Sequence, residues 1–475
     1  MTQPCDLGAL SARKLIGHKQ LSPVELMKSC LDRISACNEK VNAIVAIDAD
    51  RAMERARQDE KAVMDGQDLP LLHGLPVAIK DLESVEGLRT TFGSLLFENH
   101  VPDEDESSVE TIRSAGGNIF CKTNTPEFGA GANTKNRVYG ATGNPFNTDL
   151  TSAGSSGGSA AALACGMTPL ATGSDYGGSL RTPAAYCGVT GFRPSPGMVP
   201  IDSSSLRFSP FSVLGPMGRT VEDAHLLLLA QMDINCQDPF SSEDIYSIPT
   251  SLVDTDLSSL RIAYSADLGC SPVDLNIREI FSQRIADICH YFGESFDRAP
   301  YMEHVHETFE ILRCVSFVAE HQSQLEQSRD LLGPNVIDNT ERGQQYSLKD
   351  VAWAHTQQAE IYDRFQRYFD DCDILICPTA AVSPFPHKQL TVTEINGEEM
   401  PTYMRWLSLA YALTTAVSSV CSIPCGVDHR GMPFGLQIVG PKGADALVLE
   451  VAHSLQIACE TNPSTSRPVP MMNSV

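Results

Sequence analysis

Positive charge is scarce in this chain. Its 475 residues carry 35 lysines and arginines against 59 aspartates and glutamates, for a formal net charge of −24. A surface that binds nucleic acid or an anionic membrane needs clustered lysine and arginine. The composition therefore argues against both partners and favours a protein that acts on small molecules.

A second absence concerns paired cysteines. The chain has 15 cysteines, but no Cys-x-x-Cys spacing occurs. An odd count without that spacing indicates neither a disulfide framework nor a zinc knuckle, so reduced and mostly buried thiols are expected. The acidic run 103–106 has no spaced ligand pattern, and His304 and His306 have no third ligand at a suitable spacing. We therefore predict no metal site.

Targeting and membrane signals are also missing. The N-terminus has no apolar stretch after a basic start, which predicts no signal peptide and a cytoplasmic protein. Residues 406–427 carry no charge and are long enough to span a bilayer. Their serines and threonines, together with Pro424, instead favour a core helix that continues into a buried strand. No contact with a membrane is therefore expected.

Helix and strand patterns alternate along the chain. Residues 22–38 begin with Ser22, Pro23 and Glu25, a capping box that predicts a surface helix. Residues 75–81 form a short apolar run that predicts a buried strand with polar groups at its C-terminal end. Such alternation predicts an α/β sheet, and no repeat or linker divides the chain.

We therefore predict a single domain over residues 1–475. Its parts are a core over about 60–220 that contains most of the motifs described below, a helical middle over about 275–370 and a C-terminal return to the core over about 371–460. The last part contains two buried strands joined by a turn-rich connection, which predicts a hairpin.

The most unusual stretch is AGSSGGSAAALACG, residues 153–166. No lysine follows its glycines, so it does not match a phosphate-binding loop. It does contain Gly-x-Ser-x-Gly centred on Ser156, which leaves open an esterase of the α/β-hydrolase type with His387 or His429 as its base. That alternative needs a strand just before the serine, and the preceding GNPFNTDLTSA has no strand pattern.

The stretch is one of several motifs in a fixed order. Together these motifs resemble the amidase signature family, most closely over residues 20–220, and their order and spacing are far more specific than any one of them. They are HGLPVAIKD (73–81), AGGNIFCKTNTPEF (115–128), AGSSGGSAAALACG (153–166), GSDYGGSLRTPAAYCGVTGFRPSPG (173–197), GPMGRTVEDA (215–224), CPTAAVSPFP (377–386) and SIPCGVDHRGMPFGLQIVGP (422–441).

The resemblance implies an α/β domain with a large mixed sheet covered by helices on both faces. It implies hydrolysis of a carboxylic amide to the acid and ammonia or an amine, without metal or cofactor, by a protein that can form a homodimer. By the same resemblance Lys80 is the base, Ser155 the relay serine in a cis peptide and Ser179 the nucleophile. Backbone amides of Tyr176, Gly177, Gly178 and Ser179 would bind the oxyanion, and Gly129 would line the acyl pocket.

The chemistry of such a site can be stated from the residues themselves. A serine hydroxyl is protonated at neutral pH, so an adjacent base must take its proton during attack. Lys80 can serve only when it is neutral, and burial away from countercharge lowers the pKa of a lysine. This requires that Asp81 point away from the amine, which strand alternation allows because successive side chains leave opposite faces. Asp175 and Arg181, on either side of Ser179, are expected to form a structural ion pair.

Two alternatives remain within the family. The glutaminase subunits of tRNA-dependent amidotransferases belong to it, and they usually show TNMDEF and RQPAAFCG where this chain has TNTPEF and RTPAAYCG. Tyr176 and Thr182 also differ from common family residues, which leaves the substrate open. A free-standing amidase is favoured. A catalytically inactive scaffold protein is the other alternative, and the retention of Lys80, Ser155 and Ser179 argues against it.

Overall fold

The computed structural model describes residues 3–471. Within that range thirteen α-helices are present. In chain order they are α1 (Ala9–Gly17), α2 (Pro23–Val41), α3 (Ala49–Asp65), α4 (Ser107–Ser114), α5 (Gly157–Ala164), α6 (Arg181–Cys187), α7 (Val221–Gln231), α8 (Leu275–Ile288), α9 (Val305–Ser328), α10 (Pro334–Gly343), α11 (Leu348–Tyr368), α12 (Ser408–Thr415) and α13 (Asp445–Glu460).

The strands of the same range fall into one large sheet and three small hairpins. They are β1 (Ile44–Ile47), β2 (Pro76–Lys80), β3 (Asn118–Thr123), β4 (Lys135–Asn136), β5 (Gly140–Ala141), β6 (Gly143–Asn144), β7 (Asn147–Thr151), β8 (Leu170–Asp175), β9 (Thr190–Arg193), β10 (Val213–Gly218), β11 (Arg261–Tyr264), β12 (Glu294–Asp297), β13 (Ile374–Pro378), β14 (Glu394–Ile395), β15 (Glu398–Glu399), β16 (Ser419–Val427) and β17 (Pro433–Gly440).

The large sheet has 11 strands in the order β1-β3-β2-β8-β10-β9-β16-β17-β13-β11-β12. Strands β3, β2 and β8 are mutually parallel, and so are β13, β11 and β12. The pairs between β8 and β13 along this order are antiparallel. This mixed sheet, covered by helices, confirms the predicted fold class.

The central strands are buried along almost their whole length. Strands β2, β3, β13 and β17 have no exposed residue, as expected for strands covered on both faces. All cysteines except Cys236, Cys270 and Cys289 are buried, and none forms a disulfide. Among residues 3–471, no helix is both long enough and apolar enough to cross a membrane.

Several predicted elements are confirmed. The Ser22 side chain accepts hydrogen bonds from the amides of Val24 and Glu25, and the Glu25 carboxylate caps the Ser22 amide in return. The uncharged segment 406–427 contains helix α12 followed by the buried strand β16, which pairs with β17 in the predicted hairpin.

One local prediction was wrong. Residues 147–151, which have no strand pattern, form β7, which pairs with β6 outside the large sheet, and Leu150 also forms an isolated bridge with Pro386. The predicted helical middle contains α8, α9, α10 and α11, with the short strand β12 between α8 and α9. All four residues of β12 are exposed, and it pairs with β11 at the sheet edge, so it lacks the apolar alternation by which strands are recognised.

Candidate active site

Two adjacent parallel strands define the site. Strands β2 and β8 pair through Val77 with Leu170 and Ala78 with Ala171. Their C-terminal ends therefore meet at one edge of the sheet, where α/β folds place functional groups. Lys80 is the last residue of β2, and its backbone amide donates to Thr172 Oγ1 on β8 over 3.0 Å.

The Lys80 amine is held by three hydroxyl groups. Its Nζ lies 2.7 Å from Ser155 Oγ, 2.8 Å from Ser156 Oγ and 2.8 Å from Ser174 Oγ. The residue is completely buried, and its amine forms no ion pair with a carboxylate of residues 3–471. Burial lowers the pKa of Lys80 to about 7, although the negative charges of Glu83 and Asp175 act in the opposite direction.

Asp81 points away from this amine, as strand alternation allows. Its carboxylate accepts a hydrogen bond from Thr91 Oγ1 over 2.6 Å and lies 4.0 Å from Lys122 Nζ. The nearby Glu83 carboxylate is bound by the hydroxyls of Thr172 and Ser108. Burial raises the pKa of Glu83 above its usual range, which reduces the negative charge that this residue presents to the site.

Ser155 and Ser156 are both buried, but only Ser155 lines the cavity. The Gly154–Ser155 peptide bond is cis, and Ser155 forms part of the wall of a cavity. Ser156 is completely buried, and its Oγ contacts Lys80 Nζ and the Ser174 amide. This burial contradicts the esterase alternative, which needs an exposed Ser156.

Ser174 is the functional candidate that sequence reasoning missed. In the sequence it is one residue of a Gly/Ser motif, yet its hydroxyl contacts Lys80 directly. Its position gives a usable signal, because it follows Thr172 by two residues on β8. Side chains two apart on a strand share a face, and Thr172 meets the end of β2.

Ser179 lies in the turn between β8 and α6, beside Ser155 and Ser174 on the cavity wall. Its hydroxyl has no hydrogen-bond partner among the described residues. The Ser179 carbonyl accepts from the Ser156 amide over 3.2 Å, which ties the turn to the relay segment. The structure thus brings the three predicted catalytic side chains to one place.

The turn before Ser179 has a backbone conformation that requires glycine at position 178. Gly178 has φ +118°, and a Cβ there would lie 2.5 Å from Ala410 Cβ, so a side chain does not fit. The Gly178 amide donates to Asp175 Oδ1 over 2.9 Å and is therefore not free for an oxyanion. The amides of Tyr176, Gly177 and Ser179 have no acceptor among residues 3–471, so three of the four predicted donors remain available.

Asp175 anchors this turn through buried ion pairs. Its carboxylate lies 2.9 Å from Arg181 Nη2 and 3.1 Å from Arg193 Nη1, and all three side chains are buried. Burial alone would raise the pKa of Asp175, but the two arginines hold it well below its usual range. This arrangement confirms the predicted structural ion pair between Asp175 and Arg181.

The cavity in front of Ser179 has a volume of about 130 Å³. Gly129 lies on its wall, and a Cβ at that position would be 3.5 Å from Ser155 Oγ, so glycine keeps space open beside the serine. Tyr176 and Gly177 also line the cavity, as predicted. More distant parts of the chain also line the cavity, including Arg313, Ser316, Phe317, Met404 and Leu407.

The site thus combines a buried lysine with serine hydroxyls beside a small cavity, and an adjacent base is what a serine nucleophile needs. The amidase family profile matches residues 25–449. The chain therefore belongs to the amidase family, as its motifs predicted. That family supports an enzyme that hydrolyses carbon–nitrogen bonds in amides.

Individual relatives cover nearly the whole chain. The chain is 31% identical over 453 residues to an acylamidase of Rhodococcus erythropolis, covering 95% of both proteins. It is 30% identical over 479 residues to one subunit of the glutamyl-tRNA(Gln) amidotransferase of Thermosynechococcus vestitus, covering 94% of this chain and 96% of that one. The crystal structure of a bacterial aryl acylamidase of the amidase signature family matches with a TM-score of 0.86 and 25% identity over 96% of each chain.

Proposed function

We propose that this protein is an amidase that converts a carboxylic amide into the acid and ammonia or an amine through an acyl-enzyme on Ser179. The observation that carries the proposal is the state of Lys80. Its amine is buried, has a pKa of about 7, and is hydrogen-bonded to Ser155 on the wall of the cavity that Ser179 also lines. A lysine in this state can accept a proton at physiological pH.

In the proposed reaction neutral Lys80 takes the proton of Ser155 while Ser155 takes that of Ser179. The Ser179 oxygen attacks the amide carbonyl and forms a tetrahedral oxyanion. The proton returns from Lys80 through Ser155 to the amide nitrogen, and the carbon–nitrogen bond breaks. Water then attacks the acyl-enzyme with the same proton path, which releases the acid and restores Ser179.

The amides of Tyr176, Gly177 and Ser179 are the proposed oxyanion donors. They are free of other acceptors within residues 3–471, and the turn that carries them is fixed by the Asp175 ion pairs. Loss of one such donor typically costs about 2.7–4 kcal/mol of transition-state stabilisation. Gly178 allows the turn to adopt its conformation, but its amide donates to Asp175 and does not bind the oxyanion.

Acid release from a panel of simple amides tests the proposal, together with labelling by a fluorophosphonate. Ser179→Ala is expected to abolish both, whereas Ser155→Ala and Lys80→Ala should reduce turnover by at least about a thousandfold. Ser212, which lines the same cavity but does not contact Lys80, supplies the control variant Ser212→Ala. Wild-type protein that neither turns over any amide nor becomes labelled would refute the proposal and favour a scaffold protein.

A second candidate is the glutaminase component of a tRNA-dependent amidotransferase. The 30% identity to an amidotransferase subunit from Thermosynechococcus vestitus favours it, whereas the motifs TNTPEF and RTPAAYCG favour a free-standing amidase. Ammonia release from glutamine separates the two candidates. Release that requires the other subunits of an amidotransferase would support the second candidate, and hydrolysis of other amides by the chain alone supports the first.

A further inference from the structure

Arg313 is a buried cation on the wall of the cavity that the serines also line. It lies on α9, only 5% of its surface is exposed, and it lines the same cavity as Ser155 and Ser179. Its guanidinium makes one hydrogen bond within residues 3–471, from Nη2 to Tyr403 Oη over 2.8 Å. The Nε atom is buried and has no partner.

The other buried arginines of the described chain have many more acceptors. Arg181 and Arg193 share the Asp175 carboxylate and also bond to backbone carbonyls. Arg219 donates to three backbone carbonyls, and Arg284 donates to two and contacts a carboxylate. A buried guanidinium is normally satisfied in this way because leaving its donors unpaired is costly.

The surroundings of Arg313 hold its charge in place without neutralising it. The guanidinium carbon lies 4.7 Å from the ring centre of Phe317, 5.4 Å from that of Tyr176 and 5.8 Å from that of Tyr403, which are cation–π distances. Tyr403 Oη also accepts from Asn339 Nδ2 over 2.7 Å, so this hydroxyl is itself fixed. The result is a preorganised cation that forms no ion pair with a carboxylate of residues 3–471.

We propose that Arg313 binds a carboxylate of the substrate, so that the enzyme prefers amides that carry a carboxylate on their acyl or amine part. This inference rests on the proposed function, since it concerns the same cavity. The planar guanidinium matches the two oxygens of a carboxylate, and such charge-assisted pairs are among the stronger hydrogen bonds in proteins. A carboxylate would supply the acceptors that Arg313 lacks.

One acid lies near this subsite. Glu320 lines the same cavity with about 38% of its side chain exposed and forms no ion pair with Arg313; its carboxylate lies 3.8 Å from His321 Nε2. Burial raises the pKa of Glu320, and the charge of Arg313 acts in the opposite direction. A partly exposed acid that makes no hydrogen bond to the guanidinium leaves the donors of Arg313 unpaired. Its negative charge opposes a carboxylate substrate, so Glu320→Gln should strengthen the preference that Arg313 creates.

Matched chromogenic anilides test the inference. The readout for each pair is kcat/KM for the anilide that carries a carboxylate divided by kcat/KM for its neutral counterpart. Succinyl p-nitroanilide against butyryl p-nitroanilide places the carboxylate on the acyl part. Acetyl 3-carboxy-4-nitroanilide against acetyl 4-nitroanilide places it on the amine part. The wild-type ratio in one pair is expected to exceed about tenfold, because a hydrogen bond to a charged group contributes about ten- to hundredfold.

Three variants assign that ratio to the guanidinium. Arg313→Met should bring it to about one, and Arg313→Lys should restore only part of it because the fork geometry is lost. Arg342→Met is the matched control, since Arg342 pairs with Glu310 and does not line this cavity, and it should keep the wild-type ratio. Circular dichroism and fluorophosphonate labelling of Ser179 report whether each variant is folded with an intact site.

The possible outcomes are distinct. Hydrolysis of the neutral anilides with wild-type ratios near one in both pairs would overturn the role of Arg313 and leave the amidase proposal intact. A high ratio that survives in Arg313→Met would also overturn it. Absence of any hydrolysis and of Ser179 labelling would instead refute the proposed function itself.

Discussion

The pH dependence of acylation follows directly from the environment of Lys80. With a pKa of about 7, about half of the Lys80 side chains are neutral at pH 7. A lysine with the ordinary value of 10.5 would be neutral in only about three molecules in ten thousand at that pH. Between pH 6 and pH 8 the neutral fraction rises about tenfold, so the acylation rate should rise by the same factor.

The assay is kcat/KM for a neutral anilide, with the rate of fluorophosphonate labelling of Ser179 as an independent measure of acylation. Both should increase with pH, with a midpoint near that pKa of about 7, and level off above it. Glu83→Gln should move the midpoint to lower pH, because it removes a negative charge that raises the pKa of Lys80.

A second group with a pKa in the same range supplies the control. Burial raises the pKa of Glu106 to about 7, and its carboxylate accepts from the Ser84 amide and the Ser203 hydroxyl without contacting Lys80. Glu106→Gln should therefore leave the midpoint unchanged. A profile that is flat, or that rises only near pH 10, would refute the reasoning that a neutral Lys80 is the base. Loss of the midpoint in Glu106→Gln would show that Glu106, and not Lys80, is the group whose titration controls the rate.

Three further substitutions test the construction of the site. Ser156→Ala removes one of the three hydroxyls on Lys80 and should lower the free energy of unfolding in urea by about 1–3 kcal/mol, whereas an unchanged value would contradict a structural role. Gly178→Ala places a Cβ against Ala410 and puts a non-glycine residue at φ +118°. The melting temperature and turnover should therefore both fall, and wild-type values would show that the turn tolerates a side chain. Asp175→Asn leaves two buried arginines without their carboxylate and should cost about 3–5 kcal/mol in the same urea experiment; a loss below about 1 kcal/mol would mean that the ion pairs do not anchor the turn.

Local patterns in the sequence were enough to predict the elements that carry the lysine. The apolar run 75–81 predicted strand β2, and strand alternation allowed Asp81 to leave Lys80 without a countercharge. Both follow from interactions between near neighbours in the chain. The assignment of Ser155 and Ser179 depended on family resemblance, because neither serine has a local signal that separates it from the others in its motif.

The remaining features depend on contacts between distant segments. Ser174 reaches Lys80 because β8 pairs in parallel with β2, and such pairing between strands about 90 positions apart has no local signature. Arg313 lies on a helix whose own pattern does not distinguish it from a surface arginine. Its burial becomes visible only when α9 packs over the cavity, and this is why the sequence left the substrate undefined.

The three hydroxyls on Lys80 explain how one residue can act as both base and acid. A hydroxyl can accept a hydrogen bond from an ammonium group and can also donate one to a neutral amine, so Ser155, Ser156 and Ser174 suit both protonation states. A carboxylate in the same place would bind only the ammonium form and would hold the pKa near or above that of free lysine. The charged groups of the site are separated accordingly, since Asp175 is neutralised by arginines and Asp81, in the turn after β2, is bound by Thr91 and lies near Lys122. The chain therefore keeps the lysine close to the midpoint of its titration by excluding anions from direct contact with it, and this separation is the physical basis of the proposed proton relay.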